Sequence, residues 1–418
     1  MERKFTFIEL FAGAGGLSEG LIRAGFYPVA FIEKDKNTSL TLKTRLAYHF
    51  LKDSGEYNLY RNYISGNINR DVYYNQIPEK IINSVINEEI NEDNLKSIFR
   101  KVKQQMSMLD VKKIDLIAGG PPCQSYSLIG RARNAYNMKN DKRNYLFKFY
   151  VQFLKEFGPE MFIFENVPGI TSAENGKLWA DIKSHFLKSG YSMDFRLLNA
   201  YDFGVLQNRK RIIIIGWKSE YDLRFPEFEK DKNVEKYRIK DLFSDLPSLR
   251  AGDKLYTGKY TSNPSGYISE YGIRKDDDIL TLHLTRSVNE RDGRIYRFYI
   301  ESWLKERRRP EYDELPDELK THKNRKIFRD RFKVIAPDLP YSQTITAHLE
   351  KDGHYYIHYD INQLRSISVR EAARIQSFPD NYYFEGPMTS MFRQIGNAVP
   401  PIMAEKIAVE LRKMMVMI

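Results

Sequence analysis

The apolar run Phe5-Thr-Phe-Ile-Glu-Leu-Phe11 leads directly into Gly13, Gly15 and Gly16 and then into the helical pattern Leu17–Ala24. No other feature constrains the fold of this chain as much. A short strand that ends in a glycine turn and opens a helix is the first unit of an α/β sheet. Gly25 closes the helix, and Val29–Ile32 reads as the next strand. Further strands are expected at Ile114–Ala118, Met161–Phe164 and Ile212–Ile215, with helical patterns over Asn144–Phe157 and Lys177–Lys188. Alternating strands and helices predict a doubly wound, Rossmann-like α/β sheet. The polar stretch 71–113 has a helical pattern and reads as an insertion between two strands.

At 418 residues the chain has room for two domains. The texture changes after Trp217: residues 221–360 are rich in Lys, Arg, Tyr and turn formers, including Arg307-Arg-Arg-Pro310 and the basic run Lys323–Lys333. This stretch is expected to form a second, smaller domain, with 1–220 as the first domain and 361–418 returning to it. Interleaved basic and aromatic residues fit a nucleic-acid surface, and they also fit solvated charged helices. The net charge of +11 favours a polyanionic partner. The single cysteine excludes an intrachain disulfide and a cysteine-built metal centre. No run approaches ~18 apolar residues, and the N-terminus enters a strand rather than a secretory signal. A cytoplasmic protein without a membrane anchor is expected.

Three constellations carry chemistry. The first is the glycine turn, where position 18, the place of the third glycine in a dinucleotide fingerprint, is Ser18. With Glu33 ending the second strand, a nucleoside cofactor lacking a pyrophosphate fits better than NAD. An ordinary tight turn fits as well. The second is Cys123, set after the strand Ile114–Ala118 and a Gly-Gly-Pro-Pro turn. Such a turn can present a nucleophile, although an unpaired buried thiol has the same look. The third joins Glu165, at the end of Met161–Phe164, to Gln207-Asn-Arg-Lys-Arg211, just before Ile212–Ile215. Strand alternation would put Gln207, Arg209 and Arg211 on one side, where two guanidiniums could hold Glu165 and a substrate oxygen. The histidines His348, His354 and His358 lack metal-ligand spacing, and no metal site is expected.

Six words occur in order: Phe11-Ala-Gly-Ala-Gly-Gly, Gly120-Pro-Pro-Cys-Gln, Glu165-Asn-Val, Gln207-x-Arg-x-Arg, Arg370-Glu-Ala-Ala-Arg-x-Gln-Ser-Phe-Pro and Gln394-Ile-Gly-Asn-Ala-Val-Pro-Pro. Together they resemble the cytosine-5 DNA methyltransferases, of the bacterial or phage kind. The resemblance implies S-adenosyl-L-methionine as methyl donor and a cytosine flipped out of double-stranded DNA. It implies Cys123 as the nucleophile on C6, Glu165 on N3 and the exocyclic amine, Arg211 on O2, and Arg209 holding the site together. For the cofactor it implies Phe11, Gly13, Gly15, Gly16, Leu17, Glu33, Asn67, Ile68, Pro121, Leu146, Asn397 and Val399. The family position that Asn67 takes is usually Asp, and Lys34 stands where an aromatic residue is common. Gln124, Ser127, Arg131 and Arg133 would contact DNA from a loop that closes over it, and 221–360 would be the target recognition domain. A monomer is the expected state, with a cognate restriction endonuclease acting separately if one exists. Two other readings are a tRNA cytosine-5 methyltransferase and a catalytically silent DNA-binding relative. The first normally carries a Cys-Phe-Thr signature absent here, and the second finds no support in a chain that keeps thiol, carboxylate and arginines.

Overall fold

A computed structural model describes residues 4–121, 146–320 and 328–418. Its centre is a seven-stranded sheet in the order β3-β2-β1-β4-β5-β7-β6. The strands are β1 Thr6–Leu10, β2 Tyr27–Ile32, β3 Val85–Ile86, β4 Leu116–Gly119, β5 Met161–Asn166, β6 Tyr191–Asn199 and β7 Lys210–Lys218. Neighbours from β3 across to β5 pair in parallel, whereas β7 runs antiparallel to both β5 and β6. The expected α/β sheet is therefore present, with strand order reversing between β1 and β4. In open sheets, ligand sites lie outside the strand ends at such a reversal.

Burial explains which strands the sequence reveals. Ile212–Ile215 in β7 and Met161–Phe164 in β5 are buried throughout, as strands covered on both faces must be. The edge strand β6 is half-exposed along most of its length and has no periodic apolar signal. The stretch 71–113 is more than an insertion. It supplies the edge strand β3, and the helix Leu95–Met108 packs beside β2.

The helix Gly16–Arg23 lies directly on the C-terminal helix Pro401–Val416, and a Cβ on Gly20 would collide with Ala404 and Glu405. One large apolar core holds β1, that helix pair, the segment Phe225–Leu284 and the helix Val369–Ile375. The helix Glu290–Glu306 has a separate cluster with Tyr312, Phe332, Val334 and Ile357. Apolar packing thus divides within 221–360 rather than at its start.

Candidate active site

The turn after β1 is built from residues in rare backbone conformations. Phe11, Gly13 and Gly15 have φ of 53°, 54° and 76°. Phe11 is the strained member, because a Cβ disfavours this region. Gly15 caps the helix Gly16–Arg23 with no side-chain hydrogen bond, so the first helical N–H groups face the end of the sheet. Glu33, just past β2, braces the turn. Its Oε2 accepts from Gly13 N at 2.9 Å and its Oε1 from Asp35 N at 2.8 Å. Burial raises its pKa above the ordinary carboxylate value. A Cβ on Gly13 would meet nothing within 4 Å, so the turn is open on that side. On its other side a Cβ on Gly16 would strike the Val399 carbonyl, and the Tyr382 hydroxyl donates to the Ala14 carbonyl. Leu17 is buried in the core beneath, and Asn397 is exposed at the end of the helix Met388–Asn397.

Asn67 and Ile68 lie elsewhere. Asn67 sits on the turn after the helix Tyr57–Ile64 and bonds Asn62 of that helix, and Ile68 packs on a tyrosine cluster with Tyr60, Tyr63 and Tyr73. The residue that meets Glu33 from the neighbouring strand end is Asn87, immediately after β3. Its Nδ2 donates to the carbonyls of Glu33 at 2.9 Å and Lys34 at 3.0 Å. That orientation leaves its Oδ1 as an acceptor. Lys34 itself pairs with Glu89 in solvent at 2.9 Å.

Beneath the turn lies Glu9, a carboxyl group on β1 that is 2 % exposed. Ser18 lies beside it, yet its Oε2 has no hydrogen-bond partner among the described residues. Burial and the nearby Glu33 carboxylate raise its pKa to about 8.

On the far side of β1, β4 runs into two glycines that permit very close approach. A Cβ on Gly119 would strike the Leu10 carbonyl, and one on Gly120 the Glu165 carbonyl. Asn166 Nδ2 donates to the Pro121 carbonyl at 3.3 Å. The chain leading to Cys123 is thereby pressed against Glu165. Cys123, Gln124, Ser127, Arg131 and Arg133 lie outside the described residues. Leu146, partly buried, begins the helix Leu146–Phe157.

Glu165 Oε1 and Arg211 Nε are 2.8 Å apart, with both side chains largely covered. The antiparallel register brings them together, since Glu165 pairs with Ile213 and Asn166 with Ile212. Arg209 does not join them. Its buried guanidinium donates to the carbonyls of Ile345 at 2.7 Å, Ala398 at 2.8 Å and Gly396 at 3.2 Å. Gln207 also points inward, to Gln376 Oε1 at 2.5 Å. Regular alternation fails here because β7 begins only at Lys210, and the preceding chain is bent by short bonds from Gln207 N to Val205 O and from Arg209 N to Gln207 O. Burial, and then the neighbouring Arg211 charge, lower the Arg209 pKa.

A sequence profile described as C-5 cytosine-specific DNA methylase matches residues 5–61 and 68–413. The chain belongs to this family. Residues 62–67, Asn67 among them, fall between the matched segments. This DNA methylase is 41% identical over 433 residues to the type II methyltransferase M.Bpa9945I of Bacillus paralicheniformis, covering 96% of this chain and 97% of that one. It is 29% identical to the type II methyltransferase M1.HphI of Haemophilus parahaemolyticus, over 98% of this chain and 87% of the relative. Its fold is similar to that of a prophage-encoded DNA modification methyltransferase (E. coli), with a TM-score of 0.62 at 22% identity, covering 98% of this chain and 99% of that one. The methylase is thus a DNA (cytosine-5-)-methyltransferase.

Two residues beside the glycine turn escaped the sequence reading. Glu9 left one signal, a lone carboxylate inside an apolar strand. Asn87 left none, because a two-residue strand has no period to read.

Proposed function

We propose that this DNA methylase transfers the methyl of S-adenosylmethionine to C5 of a cytosine turned out of duplex DNA, with Cys123 as the nucleophile. The observation that carries the reading is the Glu165–Arg211 pair at 2.8 Å, set against the glycines that lead to Cys123 and one strand end from the glycine turn.

The residues present fit the cofactor. Glu33 can hold a ribose through lone pairs left after its two backbone bonds, and the Asn87 carbonyl, rather than Asn67, is placed for an adenine amine. The open face of Gly13 admits close approach. Phe11, Gly15, Gly16, Leu17, Pro121, Leu146, Asn397 and Val399 complete the cofactor side. Bound there, S-adenosylmethionine supplies an electrophilic methyl.

C5 of cytosine is a weak nucleophile until C6 is saturated. A thiolate adds to C6 and later leaves, which suits Cys123. Glu165 holds N3 and the amine while Arg211 holds O2, so charge developing on the ring meets groups already fixed. Loss of the C5 proton and elimination of Cys123 then free the product. Arg209 acts as a positioning residue, since both its terminal nitrogens are committed to carbonyls.

Residues 221–360 are assigned to DNA recognition, with Gln124, Ser127, Arg131 and Arg133 contacting DNA from the loop after Cys123. The length-wide similarity to type II methyltransferases supports a place in a restriction–modification system, with a separate endonuclease of the same specificity. We further read the protein as a cytoplasmic monomer; among the described residues no helix is long and apolar enough to cross a membrane.

Tritium transfer from labelled S-adenosylmethionine to unmethylated plasmid DNA tests the reading. Cys123→Ser and Glu165→Gln should each lose at least ~100-fold in rate while keeping S-adenosylhomocysteine affinity. Bisulfite sequencing of DNA from expressing cells should show 5-methylcytosine in one sequence context. Full activity of the Cys123→Ser protein, or transfer to tRNA instead of DNA, would overturn it.

A further inference from the structure

An extended segment, Ser342–Thr346, threads between the reacting strand and the region assigned to DNA recognition. On one side it is stitched to the residues just before β7. Ser342 N donates to Leu206 O at 3.0 Å, Asn208 N to Ser342 O at 2.9 Å, and Thr344 Oγ1 to Asn208 O at 2.6 Å. Ile345 N donates to the side chain of Gln207 at 2.9 Å, and the Ile345 carbonyl receives Arg209 at 2.7 Å. On the other side the Tyr356 hydroxyl donates to the Thr344 carbonyl at 3.0 Å and accepts from Thr346 N at 3.1 Å, and the side chain of Gln343 reaches outward. Its Oε1 accepts from Arg309 Nη2 at 3.2 Å, and its Nε2 donates to Tyr355 O at 2.6 Å. Arg309 Nη2 also donates to Val334 O at 3.1 Å.

The same strap meets the cofactor side. Arg209 and Gln376 both donate to the Ala398 carbonyl at 2.8 Å, and a Cβ on Gly396 would collide with Thr346. Gln207, Arg209, Gln376 and Ser342 are all essentially inaccessible to solvent. A buried polar network held by this many bonds has few tolerable alternatives. It sets where β7 begins. Arg211, two residues after Arg209, inherits that setting, and so does the carboxylate it holds.

We propose that the strap Ser342–Thr346 is the positioning device for the Glu165–Arg211 pair, and that Arg309, through Gln343, ties that position to the DNA-recognition region. The proposal rests on the reading of Glu165 and Arg211 given above. It makes Arg309 and Thr344 positioning residues that touch neither DNA base nor cofactor. A purely structural network would lower stability and leave the chemical step alone.

The test uses the full-length protein and Arg309→Met, which keeps an unbranched side chain but removes the donor together with the guanidinium that lies over Trp303. Single-turnover tritium transfer to plasmid DNA should fall about tenfold, since small misplacements of reacting groups are costly. Affinity for S-adenosylhomocysteine and for a duplex of the bisulfite-determined context should stay within about twofold. Arg309→Lys, which restores one charged donor, should recover most of the rate. Thr344→Val removes the bond to Asn208 at nearly constant volume and should give the same split; it carries the test if Arg309→Met fails to fold. An unchanged single-turnover rate, or a rate loss fully matched by lost DNA affinity, would overturn the inference. Wild-type activity with an inactive Glu165→Gln would show that the underlying reading had survived, so the two failures are distinguishable.

Discussion

Buried in the sheet with one oxygen unbonded, Glu9 keeps its proton up to about pH 8, against 4.5 for a free glutamate. Below pH 4.5 the folded and unfolded chains both carry that proton. Between pH 4.5 and 8 only the folded chain carries it, so stability falls as pH rises through this window. Glu9→Gln removes the effect. The unfolding free energy of the cofactor-free variant, followed through its urea midpoint, should gain on wild type steadily from pH 5 to pH 8, by a few kcal/mol at the upper end at ~1.4 kcal/mol per pK unit. A gap that stays constant with pH would show that Glu9 is ionised in the folded protein. His358 works in the opposite sense. Burial pushes its pKa down to about 3, so stability is lost as pH falls below the ordinary histidine value. Its ring is packed beside Glu371 and stacked on Tyr359, which gives it a structural place.

Elements meet at this site only because glycines let backbones touch. Gly16 lies against the Val399 carbonyl, joining the first helix to the C-terminal segment. Gly16→Ala should force them apart, costing about 1–3 kcal/mol of stability and weakening S-adenosylhomocysteine binding. Gly13→Ala is the control. Its Cβ meets open space, so only the left-handed φ of 54° is penalised, at roughly 1 kcal/mol. Urea midpoints and calorimetric titration separate the two, and equal losses would refute the packing argument. The glycines themselves were plain in the sequence. Their contact partner, nearly four hundred residues away, was not.

Across the whole molecule, a charge cluster locks the segment before residue 280 to the C-terminal part. Arg374, fully buried, donates to Asp245 at 2.5 Å and to Asp380 at 2.5 and 2.9 Å, and Arg274 closes the set on Asp245 at 2.7 Å. Removing one member of such a network leaves buried charge uncompensated. Arg374→Met should therefore cost about 3–5 kcal/mol in urea unfolding, and adding Asp380→Leu should return part of it. A loss under ~1 kcal/mol for the single variant would mean that water or rearrangement compensates. The cluster and the continuous apolar core explain why the compositional change after Trp217 does not mark a break in packing.

Local order was enough to read the sheet's central strands, the turn after β1, and the positions of Glu165 and Glu33 at strand ends. Strand periodicity and glycine placement are properties of neighbouring residues, and the six ordered words named the family before any coordinate. Contacts between distant segments were decided by tertiary structure alone. It brought Asn87 to Glu33, packed Ile68 on a tyrosine cluster that Tyr383 joins, and turned Arg209 away from Glu165 toward three carbonyls. It also laid the strap Ser342–Thr346 along the start of β7. The physical reason is common to all four. A hydrogen bond or close packing between residues far apart in the chain has no period and no composition, and it exists only once the intervening chain has folded.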